Sequence, residues 1–323
     1  MISADAINSA ILRLNGKINI TPLTFDPDLN VYIKWENHQK TGAFKVRGAL
    51  NKILALETWE QERGLVAASA GNHGLGVAYA AKLLGVKATI FIPENSVINK
   101  ETAMLNYGAA VIRVSGDFST AETEAQSFAV KKGATWVSPY NDKLVIAGHA
   151  TIGAEIISEI EEEGDLQCLI PVCGGGLVAG IGSAFQNKKV GVKLIGVQSA
   201  NSSFFYSLYH FGSQKDVLEK NSIADGLTGA IEKNSITIPL VRSMLDDFLL
   251  VDELDIERAI AYCYFKYGEI VEGSAAVPLA ALLLKGNFTQ KSVLVMTGAN
   301  IQSDLHASVC ERWKDHWDPY EET

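Results

Sequence analysis

Cysteine is scarce, with four in 323 residues (Cys168, Cys173, Cys263 and Cys310) and no CxxC pair among them. That disfavours both a disulfide-stapled scaffold and a clustered-thiolate metal site, and reduced thiols are expected. The chain has no run of Lys or Arg, and its formal net charge is −9. The electrostatic footprint of a nucleic-acid binder is therefore missing. Gly, Pro or charge interrupts every apolar stretch well short of the ~20 residues a membrane helix needs. Met1–Ile20 mixes Asp5, Arg13 and Lys17 with apolar residues and lacks the basic start and apolar block of a signal peptide. No internal repeat or low-complexity tract is visible. A cytoplasmic globular protein that uses neither nucleic acid nor membrane as a partner is the resulting expectation.

Apolar residues make up 47% of the chain and charged residues 20%. That is enough for a large core, and the length suits two domains or one large α/β domain. Short β-branched segments alternate with Ala-rich ones. Strands are expected at 65–69, 88–92, 110–114, 167–172, 193–197 and 292–296, with 135–137 extended. Helices are expected at 74–84, 100–107, 120–131, 146–163, 177–186, 256–267 and around 275–284. Such alternation implies parallel sheets covered by helices on both faces. The acidic run Glu159–Glu163 reads as the solvated end of a helix. The stretch Asn201–Thr237 shows little periodicity and reads as surface wrapping. Trp313 and Trp317, four apart, suit a helical turn packed on the body or on a second subunit.

Four segments hold residue types that could carry chemistry. Cys173-Gly174-Gly175-Gly176-Leu177 follows an apolar strand and precedes a helix. Glycines there let backbone N–H groups approach an anion, and the helix N-terminus adds its dipole. The run lacks a P-loop's GK[ST] and a dinucleotide fingerprint's spacing, so it suits a single phosphate or a plain turn. Ser69-Ala70-Gly71-Asn72-His73-Gly74 lies at another strand-to-helix junction, where parallel sheets place ligand groups, although Asn72 could simply cap the helix. Thr41-Gly42-Ala43-Phe44-Lys45 sets a lysine among apolar neighbours. Burial there would lower the amine's pKa and make it a nucleophile toward an aldehyde; the ordinary alternative is a side chain that snorkels to water. Thr297-Gly298-Ala299-Asn300 ends the last strand and is either a ligand-facing hydroxyl or an ordinary turn.

Taken together and in this order, the four segments resemble those of the fold-type-II pyridoxal-phosphate (PLP) enzymes, and most closely the serine/threonine dehydratases and serine racemases. The likeness also runs through Thr21-Pro22-Leu23, Lys34-Trp35-Glu36-Asn37, Gly108-Ala109 and Ile223-Ala224-Asp225-Gly226. It implies a two-domain, tryptophan synthase β-like α/β architecture, with a small mobile domain at 49–147 inserted into a large cofactor-binding domain made of 1–48 and 148–323. It implies PLP as cofactor, held as a Schiff base by Lys45 with Phe44 beside the ring. Asn72 would bond the ring 3′-oxygen, the backbone of Cys173, Gly174, Gly175, Gly176 and Leu177 the phosphate, and Thr297 the pyridine nitrogen. Ser69, Ala70, Gly71, Asn72 and His73 would hold the carboxylate of a small amino-acid substrate. Freed Lys45 would take the α-proton, a β-hydroxyl would leave, and a 2-oxo acid and ammonia would result. A homodimer is implied as well.

Several positions depart from the family pattern. Cys173 stands where relatives carry a glycine, and Thr297 where many carry serine or cysteine. A hydroxyl partner cannot keep the ring nitrogen protonated as an aspartate would, which favours rapid loss of a β-leaving group. Ala70 replaces the second serine of the racemases, which argues for elimination over racemisation. A β-replacement synthase would carry Thr-Ser-Gly-Asn in this loop. Gly148-His149-Ala150-Thr151 replaces Gly-Gln-Gly-Thr, so His149 either meets a different substrate, such as 3-hydroxyaspartate, or fills space beneath the cofactor. Gln198–Ser202 contains no carboxylate, so no metal site is expected there. Little sequence follows Thr297, so feedback control through the regulatory domain of the biosynthetic threonine deaminases is not expected.

Overall fold

The computed structural model describes residues 1–96, 98–160, 166–286 and 289–320. Among the described residues ten strands form two sheets. The larger contains β1 (Leu23–Asp26), β2 (Val31–Trp35), β7 (Leu166–Pro171), β8 (Val192–Ser199), β9 (Asp247–Val251) and β10 (Ser292–Met296), in the order β1-β2-β10-β7-β8-β9. The smaller contains β3 (Leu65–Ala68), β4 (Ala88–Pro93), β5 (Ala110–Val114) and β6 (Thr135–Trp136), in the order β5-β4-β3-β6. Every pairing is parallel except β1 with β2, which forms an antiparallel edge.

The central strands β7 and β10 are nearly continuous apolar runs because both of their faces are covered. Along β7, Cys168 and Ile170 enter one core while Leu169 enters another, as alternation requires. The first core lies against helices Lys143–Glu159 and Gly176–Lys188, the second against Glu253–Tyr267 and Gly273–Lys285. The smaller sheet is likewise covered on both faces, on one by Ala121, Ala125 and Ala129 and on the other by a mix that includes Leu50, Ile53, Leu75 and Val77.

Helix boundaries follow their caps. Asp142 accepts from the N–H groups of Leu144 and Val145, so the long helix starts at Lys143 and not at Ile146. It ends at Glu159, and Glu161, Glu162 and Glu163 of the acidic run lie outside the described residues. The stretch Asn201–Thr237 is not merely surface wrapping. It contains a helix, Phe204–Phe211, whose Phe204, Phe205 and Leu208 enter the core, because an aromatic stripe supplies the buried face. In the tail, Trp313 ends a helix and donates to Glu257, while Trp317 packs 5.2 Å from the Tyr262 ring, so both settle on the body. All four cysteines are free. Among the described residues no helix is long and apolar enough to cross a membrane.

The helix Lys45–Leu54 lies between the two sheets. A Cβ on Gly148 would fall 2.5 Å from the Arg47 carbonyl oxygen and 2.7 Å from Gly48 Cα, so this helix and Lys143–Glu159 meet backbone to backbone. Arg47 fixes it further. Its guanidinium bonds Glu36 (2.7 Å) and Glu155 (2.6 Å), and Lys34 completes the network at 2.9 Å from Glu155. Arg47, Lys34 and Glu36 are fully buried, and a charge cluster out of water persists only when each member is paired.

Candidate active site

The site forms where the carboxyl ends of β10, β7 and β3 converge, as expected for open parallel sheets. β10 and β7 are neighbours in register, Ser292 opposite Gln167 and Leu294 opposite Leu169. Carried past the strand ends, that pairing sets Thr297 level with Val172, next to Cys173. Thr297 is buried, and its carbonyl accepts from the Phe44 N–H at 3.0 Å. The adjacent bridge Ala43–Gly298 ties the Lys45 segment to the end of β10.

Lys45 is the first residue of its helix and is half-buried. Its Nζ donates to the Pro139 carbonyl oxygen at 3.0 Å and lies 5.2 Å from the centre of the Phe44 ring. Burial pulls the amine down to about 8, against the opposing pull of Cys173 and Glu272. Near neutrality a useful fraction is thus the free base. Phe44 in turn packs 4.8 Å from His149.

The glycine turn follows β7 closely. Gly175 has φ 81°, in the left-handed region, and Gly176 starts the next helix. A Cβ on Gly174 would lie 2.2 Å from the Tyr140 ring, so the turn passes flat against that tyrosine. Leu177 sends its side chain into the core, which leaves only its backbone toward the cleft. The N–H groups of a first helical turn lack partners inside the helix and so face outward as anion donors. Cys173 Sγ turns to the Thr228 carbonyl at 3.4 Å, leaving the backbone role of that position intact.

Across the cleft, Ser69 Oγ accepts from the Gly71 N–H at 3.1 Å, and Asn72 opens the following helix. Ala70 packs against the small-sheet core, whereas the space beside Gly71 is open. His73 turns inward: its Nε2 lies 2.8 Å from the Val137 carbonyl oxygen. Burial and the nearby Lys45 push His73 down to about 3, so its imidazole is neutral. His149 is fully buried, and among the described residues neither of its ring nitrogens has a hydrogen-bond partner. Burial first, then Lys45, His73 and Arg47, hold it well below its usual range.

Sequence reasoning missed two members of the site. Asn72 Nδ2 donates to Glu272 Oε1 at 2.7 Å, and Asn72 Oδ1 accepts from Asn300 Nδ2 at 2.6 Å. Asn300 was visible as the last residue of the Thr297 segment. Glu272 gave no signal, because its importance comes from a fold that places it 200 positions from its partner. Among the described residues no three His, Cys, Asp or Glu side chains gather as a metal site.

The donor set fits pyridoxal phosphate. A depressed amine suits its aldehyde, a glycine turn at a helix start its phosphate, an amide its phenolic oxygen and a small hydroxyl its ring nitrogen. The buried His149 packs behind Phe44 and leaves the floor of that seat neutral.

A family model described as pyridoxal-phosphate dependent enzyme matches residues 14–298. An L-threonine ammonia-lyase of Geobacter sulfurreducens is 40% identical over 97% of this chain and 79% of its own length. A catabolic L-threonine dehydratase of Staphylococcus aureus is 38% identical over 96% of this chain and 92% of its own. The structure of maize serine racemase superposes with a TM-score of 0.87 at 29% identity, covering 97% of this chain and 98% of that one.

Proposed function

Because the chain belongs to the pyridoxal-phosphate dependent enzyme family, we propose that it is an ammonia-lyase of the threonine/serine dehydratase type. It removes water from a small β-hydroxy amino acid and yields a 2-oxo acid and ammonia. The observation that carries the reading is the half-buried Lys45 amine, with a pKa of about 8, at the meeting point of three ligand-donating strand ends.

Bound at Lys45, the cofactor supplies an aldehyde for the substrate amine and a ring that draws electrons from Cα. The residues do the rest. The backbone of Cys173 to Leu177 would hold the phosphate, Asn72 the phenolic oxygen and Thr297 the ring nitrogen. The turn Ser69–Asn72, at a helix N-terminus, takes the substrate carboxylate. His73 supports that turn from behind through Val137. Lys45, once displaced as a free amine, removes the Cα proton. The β-hydroxyl would leave as water on a proton from a nearby acid, which the proton taken up by Lys45 would restore, and the released enamine would hydrolyse to the 2-oxo acid and ammonia.

Ala70 carries no group able to return a proton from the second side, which favours elimination over racemisation. His149, enclosed against Phe44, supports the space-filling role over contact with a larger substrate. The proposal includes movement of residues 49–147 as a unit that closes on substrate, and a cytoplasmic homodimer.

The test is 2-oxo acid release, with added cofactor, from L- and D-serine, L-threonine, threo-3-hydroxyaspartate and O-acetylserine, with Lys45→Ala as control. Lys45-dependent 2-oxobutyrate from L-threonine, or pyruvate from L-serine, is expected. Protein that binds the cofactor yet turns over none of the panel would refute the assignment.

A further inference from the structure

An asparagine amide has two donors at one end and an acceptor at the other, and rotating it by half a turn exchanges them. At Asn72 both ends are already engaged. Nδ2 gives one hydrogen to Glu272 Oε1 at 2.7 Å, and Oδ1 receives one from Asn300 Nδ2 at 2.6 Å. Asn300 has no freedom to reverse, because its Nδ2 also donates to the Thr41 carbonyl at 2.9 Å. Glu272 is anchored too. Its backbone N–H donates to the Gly298 carbonyl at 3.0 Å, and its carboxylate accepts from the Asn300 backbone N–H. The seat is fitted to it, since a Cβ on Gly298 would lie 2.7 Å from Glu272 Oε1.

From this arrangement we infer that Glu272 and Asn300 are positioning residues that lock the Asn72 amide so that the second Nδ2 hydrogen is the group presented to the cofactor's phenolic oxygen. The inference rests on the proposed cofactor site. Released from the clamp, Asn72 could present its carbonyl, and two oxygens would then face each other without a hydrogen. An ionised carboxylate suits the task because it only accepts.

The charge on Glu272 is finely set. Burial pushes its carboxyl up to about 7, with Asp225 adding to the rise and Lys100 and Asn72 opposing it. Lys45 faces it from the cleft, and Lys100 and Asp225 pair at 2.8 Å beside it. Protonation below neutrality trades the charge-assisted bond from Asn72 for a weaker neutral one and gives Glu272 an O–H donor of its own, so the hold on the amide depends on pH through this one group.

The test uses holo-protein and reads the bound cofactor as well as turnover. Glu272→Ala is expected to weaken cofactor affinity about tenfold, as loss of one charge-assisted hydrogen bond implies. It should also shift the balance between the protonated and unprotonated absorbance bands of the lysine-bound chromophore. Asn300→Ala should shift the bands in the same direction. Glu272→Gln, which can still accept but not titrate, should restore affinity to within about threefold, on the smaller value of a neutral bond, and abolish any step in the bands near pH 7. Circular dichroism identifies a variant that has merely failed to fold, and the glutamine variant then decides. Unchanged affinity and bands in all three variants would overturn the inference alone. A wild-type protein that takes up no cofactor would overturn the functional reading, and this inference with it.

Discussion

The two sheets share a plan and differ in what fills them. Against the six-stranded sheet, the helix Gly273–Lys285 buries every residue from Gly273 to Leu283, four leucines and valines among them. Against the four-stranded sheet, the helix Phe118–Lys132 buries only Ala121, Ala125 and Ala129. Each buried methylene stabilises by about 0.8 kcal/mol, so an alanine stripe contributes a fraction of what a leucine face does. The thick half carries the glycine turn, Thr297 and Glu272; the thin half carries Ser69–Asn72. The proposed phosphate and ring-nitrogen contacts thus rest on the better-packed body, while the proposed substrate turn, with Asn72, rests on the more lightly packed one.

This contrast can be broken at the seam. Arg47→Met leaves the fully buried Glu36 carboxylate without its cation and Glu155 with Lys34 alone. It is expected to cost about 3–5 kcal/mol, read as a large drop in Tm, with loss of cofactor binding because Lys45 lies two residues away. A Tm within two or three degrees of wild type would show that the network is not what holds the Lys45 helix.

Matched truncations sharpen it. Leu294→Ala in β10, fully buried, should destabilise by about 2–5 kcal/mol. Ala125→Gly on the thin half should cost about 1 kcal/mol, mostly helix propensity. Chemical denaturation of both variants checks the ratio. Equal losses would mean that the alanine core carries more than its area suggests.

The smallest effect concerns Glu122 of the thin half, which faces Glu232 of the thick one. Burial and then Glu232 push the Glu122 carboxyl up from 4.5 to about 7. Its folded pKa exceeds its unfolded one, so the folded state holds the proton more tightly. Stability should therefore fall as pH rises from about 4.5 to about 7. Glu122→Gln should flatten that part of a Tm-versus-pH curve; an unchanged slope would remove Glu122 as its cause.

Much of the frame was legible in the sequence. The strands expected from 65, 88, 110, 167, 193 and 292 could be read from β-branched runs, two of them beginning one residue earlier in the structure, and the glycine turn and the Asn72 junction from their place between strand and helix. What escaped depended on distance. Strand β9 hid inside Asp247–Val251, beside a stretch without clear period. The helix Phe204–Phe211 used aromatics where aliphatic spacing was sought. Lys45 could be named, but its helix could not, because Arg47 within it is buried by partners on β2's end and on the helix after Asp142. Glu272 is the extreme case: an acidic residue before Gly273-Ser274 looks like any helix start until Asn72 is brought to it.

The contact between the Lys45 helix and the helix Lys143–Glu159 has a practical meaning for anyone diversifying this scaffold. At Gly148 a Cβ would strike backbone, and at Gly48 it would sit 2.4 Å from the His149 ring and force that ring to move. A randomised library that includes these two codons would discard most of its members to misplacement of the reactive lysine. Ala70, with a partly open flank beside the unfilled space at Gly71, is the position where the same mutational effort would sample new chemistry instead.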